Sequence, residues 1–270
     1  MLLQPSDLVG CRYRLPQKQR HPDIPPTDTT YARRRRLAIA RRQATVLLPT
    51  HPQRGDKKLF HRVDLGTLDD AEDRWFATLE ALAAKATIIT DAMLHTTRGG
   101  HAFAVPIDAL IRRPDGNYMP VLITNHRIIR PDPNRSIQVM STRRLGLGTP
   151  NMGHYRLKHH SADSFTLALA NHALADVGHA AQRGILIGQD PEIAVILNTE
   201  LLEQGLQLAL KQPIPAHAHR VKECGTCRFW PLCEAELVER DDLSLLFAGD
   251  KSAQYQRAGI ITVADLRPEP

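Results

Sequence analysis

The chain reads as an α/β protein built around a mixed central sheet, on three observations. Two apolar runs, His101 to Arg112 and Tyr118 to Ile129, flank Pro114-Asp115-Gly116-Asn117, a turn tetrad that predicts a β-hairpin. Helical periodicity brackets that hairpin, from about Asp69 to Lys85 before it and from Ser161 to Gln182 after it. Two further short runs, Gly184 to Gly188 and Ile193 to Leu197, return to strand character.

Taken in order, residues 12 to 30 are rich in proline, histidine and arginine and predict an ordered but irregular lead-in. Thr30 to Ala44 predicts a helix, with Leu37, Ile39 and Ala40 set among arginines. The next helix has Asp69 or Asp70 as its cap and Trp75, Leu79, Leu82 and Ala83 as its apolar stripe. A strand from Thr87 to Leu94 precedes the hairpin. A loop carrying Gly146, Gly148, Pro150 and Gly153 leads into the long helix. A helix from Thr199 to Lys211 then runs through Pro213 and Pro215 to a cysteine-rich segment. From Asp241 to Leu266 the pattern is helix, an Ala248-Gly249-Asp250 turn, and helix again. The expected division is therefore a main domain over residues 1–240 and a small helical module over 241–270.

At 270 residues and 42% hydrophobic content, the chain can bury one large core plus an appendage. No apolar run approaches the ~20 residues that span a bilayer. Met1 to Gly10 carries an acid and no hydrophobic segment, so no secretory signal is expected and the protein is read as cytoplasmic. The net charge of +6 is unevenly spread. Arg33, Arg34, Arg35 and Arg36, then Arg41 and Arg42, load a single helix; Arg143-Arg144 and Lys158-His159-His160 follow. Basic clusters of this kind favour an anionic partner, nucleic acid before a membrane surface.

The cysteines carry the most specific signal. Cys224, Cys227 and Cys233 form a C-x2-C-x5-C run, and Cys11 is the fourth and last. Four thiolates suit zinc or an iron–sulfur cluster. Zinc sites usually come as two close pairs, whereas this set is one plus three, which leans toward a cluster. A ligand at residue 11 joined to three beyond 220 would close a very long loop and act as a fold staple.

With one early cysteine, this late triplet, and a helix–strand–hairpin–helix order between them, residues 8 to 238 resemble the RecB-like nucleases of the PD-(D/E)XK superfamily. The resemblance is closest to the iron–sulfur branch, which includes CRISPR-associated adaptation nucleases and the AddB-type helicase–nuclease subunit. It implies a three-layer, restriction-endonuclease-like core and a [4Fe-4S] cluster on Cys11, Cys224, Cys227 and Cys233. It also implies a DNA partner, single-stranded or with ends, in repair or recombination. The 241–270 tail, with "AGI-x-T-V-x-D-L", resembles a helix-hairpin-helix unit in which backbone N–H groups around Gly249, beside Lys251, meet a phosphate.

The catalytic pattern departs from that family. An Asp on the first hairpin strand and an acid-x-Lys pair on the second would hold Mg²⁺ or Mn²⁺ and position the attacking water. Asp108 supplies the first acid, but register from the turn puts Leu122 at the second acid and Thr124 at the lysine. The glutamine–tyrosine motif of the following helix is absent from Phe165-Thr166-Leu167-Ala168-Leu169-Ala170. Asp91 is the residue placed to join Asp108, with His95, His101 or His126 to complete a site and Arg127 to replace the lysine. The expectation is a DNA-binding nuclease scaffold with weak or absent cleavage. Two alternatives stand beside it: a metal-dependent DNase using Asp108, and a redox-sensing or partner-binding iron–sulfur protein.

Overall fold

The computed structural model describes residues 2–52 and 59–266. In chain order the regular elements are α1 (Arg14–Arg20), α2 (Asp28–Leu47), β1 (Arg62–Asp64), α3 (Ala71–Ala83), β2 (Ile88–Arg98), β3 (His101–Arg112), β4 (Tyr118–Ile123), β5 (Ile129–Pro131), β6 (Ile137–Ser141), β7 (Asn151–Gly153), β8 (Tyr155–Leu157), α4 (Ser161–Asp176), β9 (Arg183–Ile187), β10 (Ile193–Asn198), α5 (Glu203–Lys211), α6 (Trp230–Glu239) and α7 (Asp250–Arg257). They fall into two compact units, one of Met1–Leu8 and Arg35–Lys211, the other of Val9–Arg34 and Gln212–Pro270. The tail from Asp241 falls in the same unit as the cysteine segment. The tail belongs with the cysteine segment because Gly249 N–H donates to the Arg220 carbonyl and Arg220 N–H to Ser244 Oγ.

In the first unit, eight strands form one sheet in the order β1-β2-β3-β4-β9-β10-β6-β7. β1–β2 and β4–β9 are parallel and the remaining neighbours antiparallel, so the sheet is mixed. The Pro114–Asn117 tetrad turns the β3–β4 hairpin. Gly116 takes φ +90°, Asn117 N–H donates to Asp115 Oδ1, and Arg113 N–H closes the turn on the Asn117 carbonyl. All six residues of β4 are buried, as expected of a central strand covered on both faces.

One face carries a core of Ala109, Ile111, Val121, Ile123, Ile185 and Ile187, against which Ala44 and Leu48 at the end of α2 pack. The opposite face is covered by α4: a Cβ on Gly184 would stand 3.2 Å from Leu167 Cδ2 of that helix. α3 is capped by Asp70, whose carboxylate accepts the Glu72 and Asp73 N–H groups. Its buried face is Thr78, Ala81 and Leu82; Ala83, expected in the stripe, is exposed. Thr78 locks α3 to the sheet, accepting the Met93 N–H at 3.1 Å and donating to the Arg74 carbonyl.

Several boundaries differ from expectation. The second hairpin strand ends at Ile123, not Ile129, because β4 leaves β3 early. Ile129–Pro131 instead pairs with Tyr155–Leu157 in a separate two-stranded ribbon. The segment expected as a loop before α4, with Gly146, Gly148, Pro150 and Gly153, contains β7, which with the unexpected β6 extends the sheet beyond β10. α4 stops at Asp176, where Gly178 adopts φ +78°. α2 is longer than its sequence pattern suggests, and β1 has no apolar pattern to announce it.

The second unit is organised around α6. Glu236 on that helix accepts Tyr13 OH at 2.8 Å and Ala218 N–H at 2.9 Å. Arg12 Nη1 donates to the Gln212 carbonyl at 2.7 Å. Tyr13, Ala218 and Leu237 form a small core that Cys11, Trp230, Cys233 and Leu245 pack against. The lead-in is not wholly irregular, since Arg14–Arg20 is helical. In the tail the expected first helix is only a 3-10 turn at Leu243–Leu245, and the element after Gly259 is another at Ala264–Leu266. These two turns flank an antiparallel contact in which Leu243 N–H meets the Ile261 carbonyl and Val263 N–H meets that of Asp241.

Candidate functional site

Asp108 sits where β3 and β4 fork. The β3–β4 ladder ends at Ala109 opposite Val121, and one step further Asp108 would face Leu122. On its other edge β4 stays paired with β9, from Val121 opposite Ile185 to Ile123 opposite Ile187. The Asp108 side chain enters the gap and replaces the missing ladder bond: its Oδ2 accepts the Ile123 N–H at 2.7 Å. Its Oδ1 lies 2.6 Å from Arg41 Nε of α2. The carboxylate is 7% exposed, whereas Arg41 is 42% exposed. Burial pushes the Asp108 carboxyl up to about 6, against the opposing pull of Arg41 and of the Ile123 N–H.

Asp91 faces Asp108 across β2. The two strands stay in register on either side, Thr90 with Ala109 and Ala92 with Ile107, while Asp91 itself adopts φ +54°. A non-glycine residue in that region inside a strand is strained, a cost that clusters at functional positions. Its carboxylate lies against Gly66, where an added Cβ would meet Asp91 Oδ2 at 2.8 Å. The Asp91 charge adds to the upward push on Asp108. The two acids named from the sequence are therefore neighbours, and the guanidinium of Arg41 meets the buried one. Arg41, expected in the phosphate-facing row, turns to Asp108 instead. Arg33, Arg34, Arg35, Arg36 and Arg42 are exposed along α2.

Thr124, at the lysine position, is buried and joined to a group that the sequence only hints at. Its hydroxyl lies 2.6 Å from His126 Nδ1, and His126 Nε2 lies 2.8 Å from Asp163 Oδ2 at the start of α4. The His160 ring is 3.8 Å from that of His126, centre to centre. Burial raises the Asp163 carboxyl and, first among several causes, lowers His160. His126 is one of the three histidines able to complete a site, but nothing in the sequence marks Asp163 as its partner. They are 37 residues apart and meet only because α4 lies over the sheet. His95 goes elsewhere, stacked on Trp75 at 4.6 Å.

In the second unit all four cysteines carry free thiols. They lie close enough for their charges to act on one another: Cys233 is pushed up to about 12 by burial and then by Cys227, Cys11 and Cys224. Cys11 and Cys224 are likewise raised, burial leading in both. Val221 N–H donates to Cys224 Sγ at 3.3 Å, and Gln17 Nε2 lies 3.8 Å from Cys233 Sγ. Among the described residues, no group of three or more His, Cys, Asp or Glu side chains is gathered so as to hold a metal ion. In the tail, Gly249 (φ +67°) has its N–H committed to the Arg220 carbonyl, while Lys251 is exposed. No helix is long and apolar enough to cross a membrane among the described residues.

Compared with known proteins, the chain matches no family model, and no curated protein matches it.

Proposed function

We propose that this chain is a DNA-binding protein of the repair or recombination type, built on a RecB-like, restriction-endonuclease-like scaffold with weak or absent nuclease activity. The observation that carries the proposal is the ion pair in the fork. The acid that a nuclease would use for Mg²⁺ or Mn²⁺ is held by Arg41, with Leu122 one step beyond the end of the β3–β4 ladder and Thr124 two residues on. A leucine offers no oxygen to a hard cation, and a guanidinium competes with it for the buried Asp108 carboxylate. What remains is a strongly basic helix. Arg33, Arg34, Arg35, Arg36 and Arg42 lie exposed on α2, suited to phosphate contacts that are salt-dependent and indifferent to sequence.

The cofactor of this reading is a [4Fe-4S] cluster on Cys11, Cys224, Cys227 and Cys233, with zinc as the other candidate. Its support is the donor set: four free thiols, half-buried together, whose deprotonation is costly without a positive centre among them. When bound, the cluster would staple the early and late segments of the second unit. The chain's own share is then to seat it, with Trp230 and Tyr13 packing beside the sulfurs.

The Asp91–Asp108 juxtaposition favours a second reading, a metal-dependent DNase that gains its cation site when Arg41 swings away. One experiment separates the two. Anaerobically purified protein is incubated with end-labelled single-stranded DNA and Mn²⁺, beside its Asp108→Ala variant. Salt-sensitive binding without cleavage is the expected result. Cleavage by the parent that vanishes in Asp108→Ala would overturn the proposal in favour of the nuclease.

A further inference from the structure

The first unit holds a cavity of about 510 Å³ lined by parts of β6, β8 and β10 and by the turn after β10. That volume falls in the range of small-ligand sites, ~300–1,000 Å³. It shares no residue with the Asp91–Asp108 fork or with the Thr124–His126 group.

Its chemistry is one-sided. Val195 and Leu202, both buried, provide an apolar floor, and Tyr155 provides an aromatic wall. Arg135 and Arg156 supply the charge and His159 a ring, and among the described residues no Asp or Glu lines the space. Arg135 has only a long ion pair to Asp132, at 3.9 Å, and Arg156 is paired with no carboxylate among the described residues. The Gln138 carbonyl oxygen accepts Arg183 Nη1 at 2.7 Å, which leaves its amide N–H groups as donors at the cavity.

Tyr155 is held in place before any ligand arrives. A Cβ on Gly153 would meet ring carbons Cδ2 and Cε2 of Tyr155 at 2.8 Å and Val139 Cγ2 at 2.9 Å. The ring therefore rests against the backbone of β7, an approach only glycine allows. An aromatic surface fixed in this way gives up little side-chain freedom when a flat ligand stacks on it.

We propose that this cavity binds a nucleotide, with its base against Tyr155 and the apolar floor and its phosphate on Arg135 and Arg156. Two guanidiniums, of which only Arg135 has a carboxylate near it and that at 3.9 Å, suit a phosphate; the aromatic wall suits a base, and the Gln138 amide can donate to a base carbonyl or ring nitrogen. The nucleotide has two sources, an unstacked unit of single-stranded DNA or a free nucleoside monophosphate. The first rests on the DNA-binding function proposed above; the second does not.

The test uses the full chain, purified anaerobically, with dAMP, inorganic phosphate and a labelled oligo-dA as probes. Tyr155→Ala, Tyr155→Phe and Arg156→Gln are compared with the parent by calorimetry and anisotropy. Thermal melting excludes variants that fail to fold. The expected result is dAMP binding tighter than phosphate, weakened about tenfold in Tyr155→Ala and Arg156→Gln but kept in Tyr155→Phe. If the strand is the source, oligo-dA affinity falls in parallel. Oligo-dA binding that ignores both substitutions, with no dAMP binding, overturns the cavity proposal and leaves the DNA-binding function standing. Binding of dAMP that needs Arg156, without any oligo-dA binding, upholds the cavity and removes that function. Binding of neither probe defeats both.

Discussion

Asp108 is predicted to weaken the fold, not to hold it together, and two substitutions test this. Burial raises its carboxyl to about 6 from an ordinary 3.8, despite Arg41 at 2.6 Å. At about 1.4 kcal/mol per unit, keeping the charge at pH 7 costs the folded state about 3 kcal/mol. The sign follows from the direction. A folded carboxyl that holds its proton to higher pH makes stability fall as pH rises from about 4 to about 6, and level off above. Asp108→Asn keeps an acceptor for the Ile123 N–H but carries no charge, so it should raise stability at pH 7, by up to about 3 kcal/mol, and flatten the pH profile.

Arg41→Met removes the counter-charge and drives Asp108 to its neutral form. Protonating a group of ordinary aspartate acidity at pH 7 sets a ceiling near 4 kcal/mol, so the extra cost over the parent is roughly 1 kcal/mol. At pH 5, where the parent is already largely protonated, that cost should nearly vanish. Urea unfolding of the three proteins at pH 5, 6, 7 and 8 measures all of this. An Asp108→Asn protein less stable than the parent by more than about 1 kcal/mol at pH 7 would refute the reasoning. So would an Arg41→Met cost of several kcal/mol that is equal at pH 5 and pH 7. Either result would mean that the buried pair gains more than its desolvation costs.

Protein purified without oxygen should be brown, with about four irons and four sulfides per chain; a colourless, zinc-loaded protein would reject the cluster while sparing the four-thiolate set. Cys11→Ser should release the metal and lower the melting temperature by several degrees, and unchanged melting would remove Cys11 from the ligands. Replacing Arg33, Arg34, Arg35 and Arg36 by Gln should flatten the salt dependence of DNA binding by about 0.7 for each phosphate no longer neutralised, read from affinity against log salt. Thr78→Val leaves the Met93 N–H without its acceptor in a buried site and should cost about 1–3 kcal/mol in denaturant unfolding.

Much of the fold was legible because its signals are local. The hairpin follows from a turn tetrad, α3 from a capping aspartate, and the strand runs from apolar side chains that a covered sheet needs. β1, β6, β7 and α1 escaped because they are short and carry little apolar pattern of their own; pairing with an existing edge or packing against α6 makes them regular. The end of β4 was misplaced for a related reason. Apolar side chains continue past Ile123, but strand pairing is decided by the partners, and β4 loses β3 at the fork and ends with its β9 ladder at Ile123.

The site divides in the same way. From the sequence alone came the four cysteines, the basic row of α2, Asp108 with Asp91 as its companion, and Leu122 and Thr124 where an acid and a lysine would serve a nuclease. These rest on residue identity, spacing and the two-residue period of a strand, all carried by the chain itself. The structure alone decided that Arg41 turns from the basic row to Asp108, that Asp163 meets His126, and that Tyr155 lies on Gly153 beside two arginines. The first two are contacts between segments far apart in sequence, and the third needs β7 and β8 folded against each other. Such contacts form because helices must cover a buried sheet and strands must find partners, and that packing sets which side chains meet irrespective of their distance along the chain.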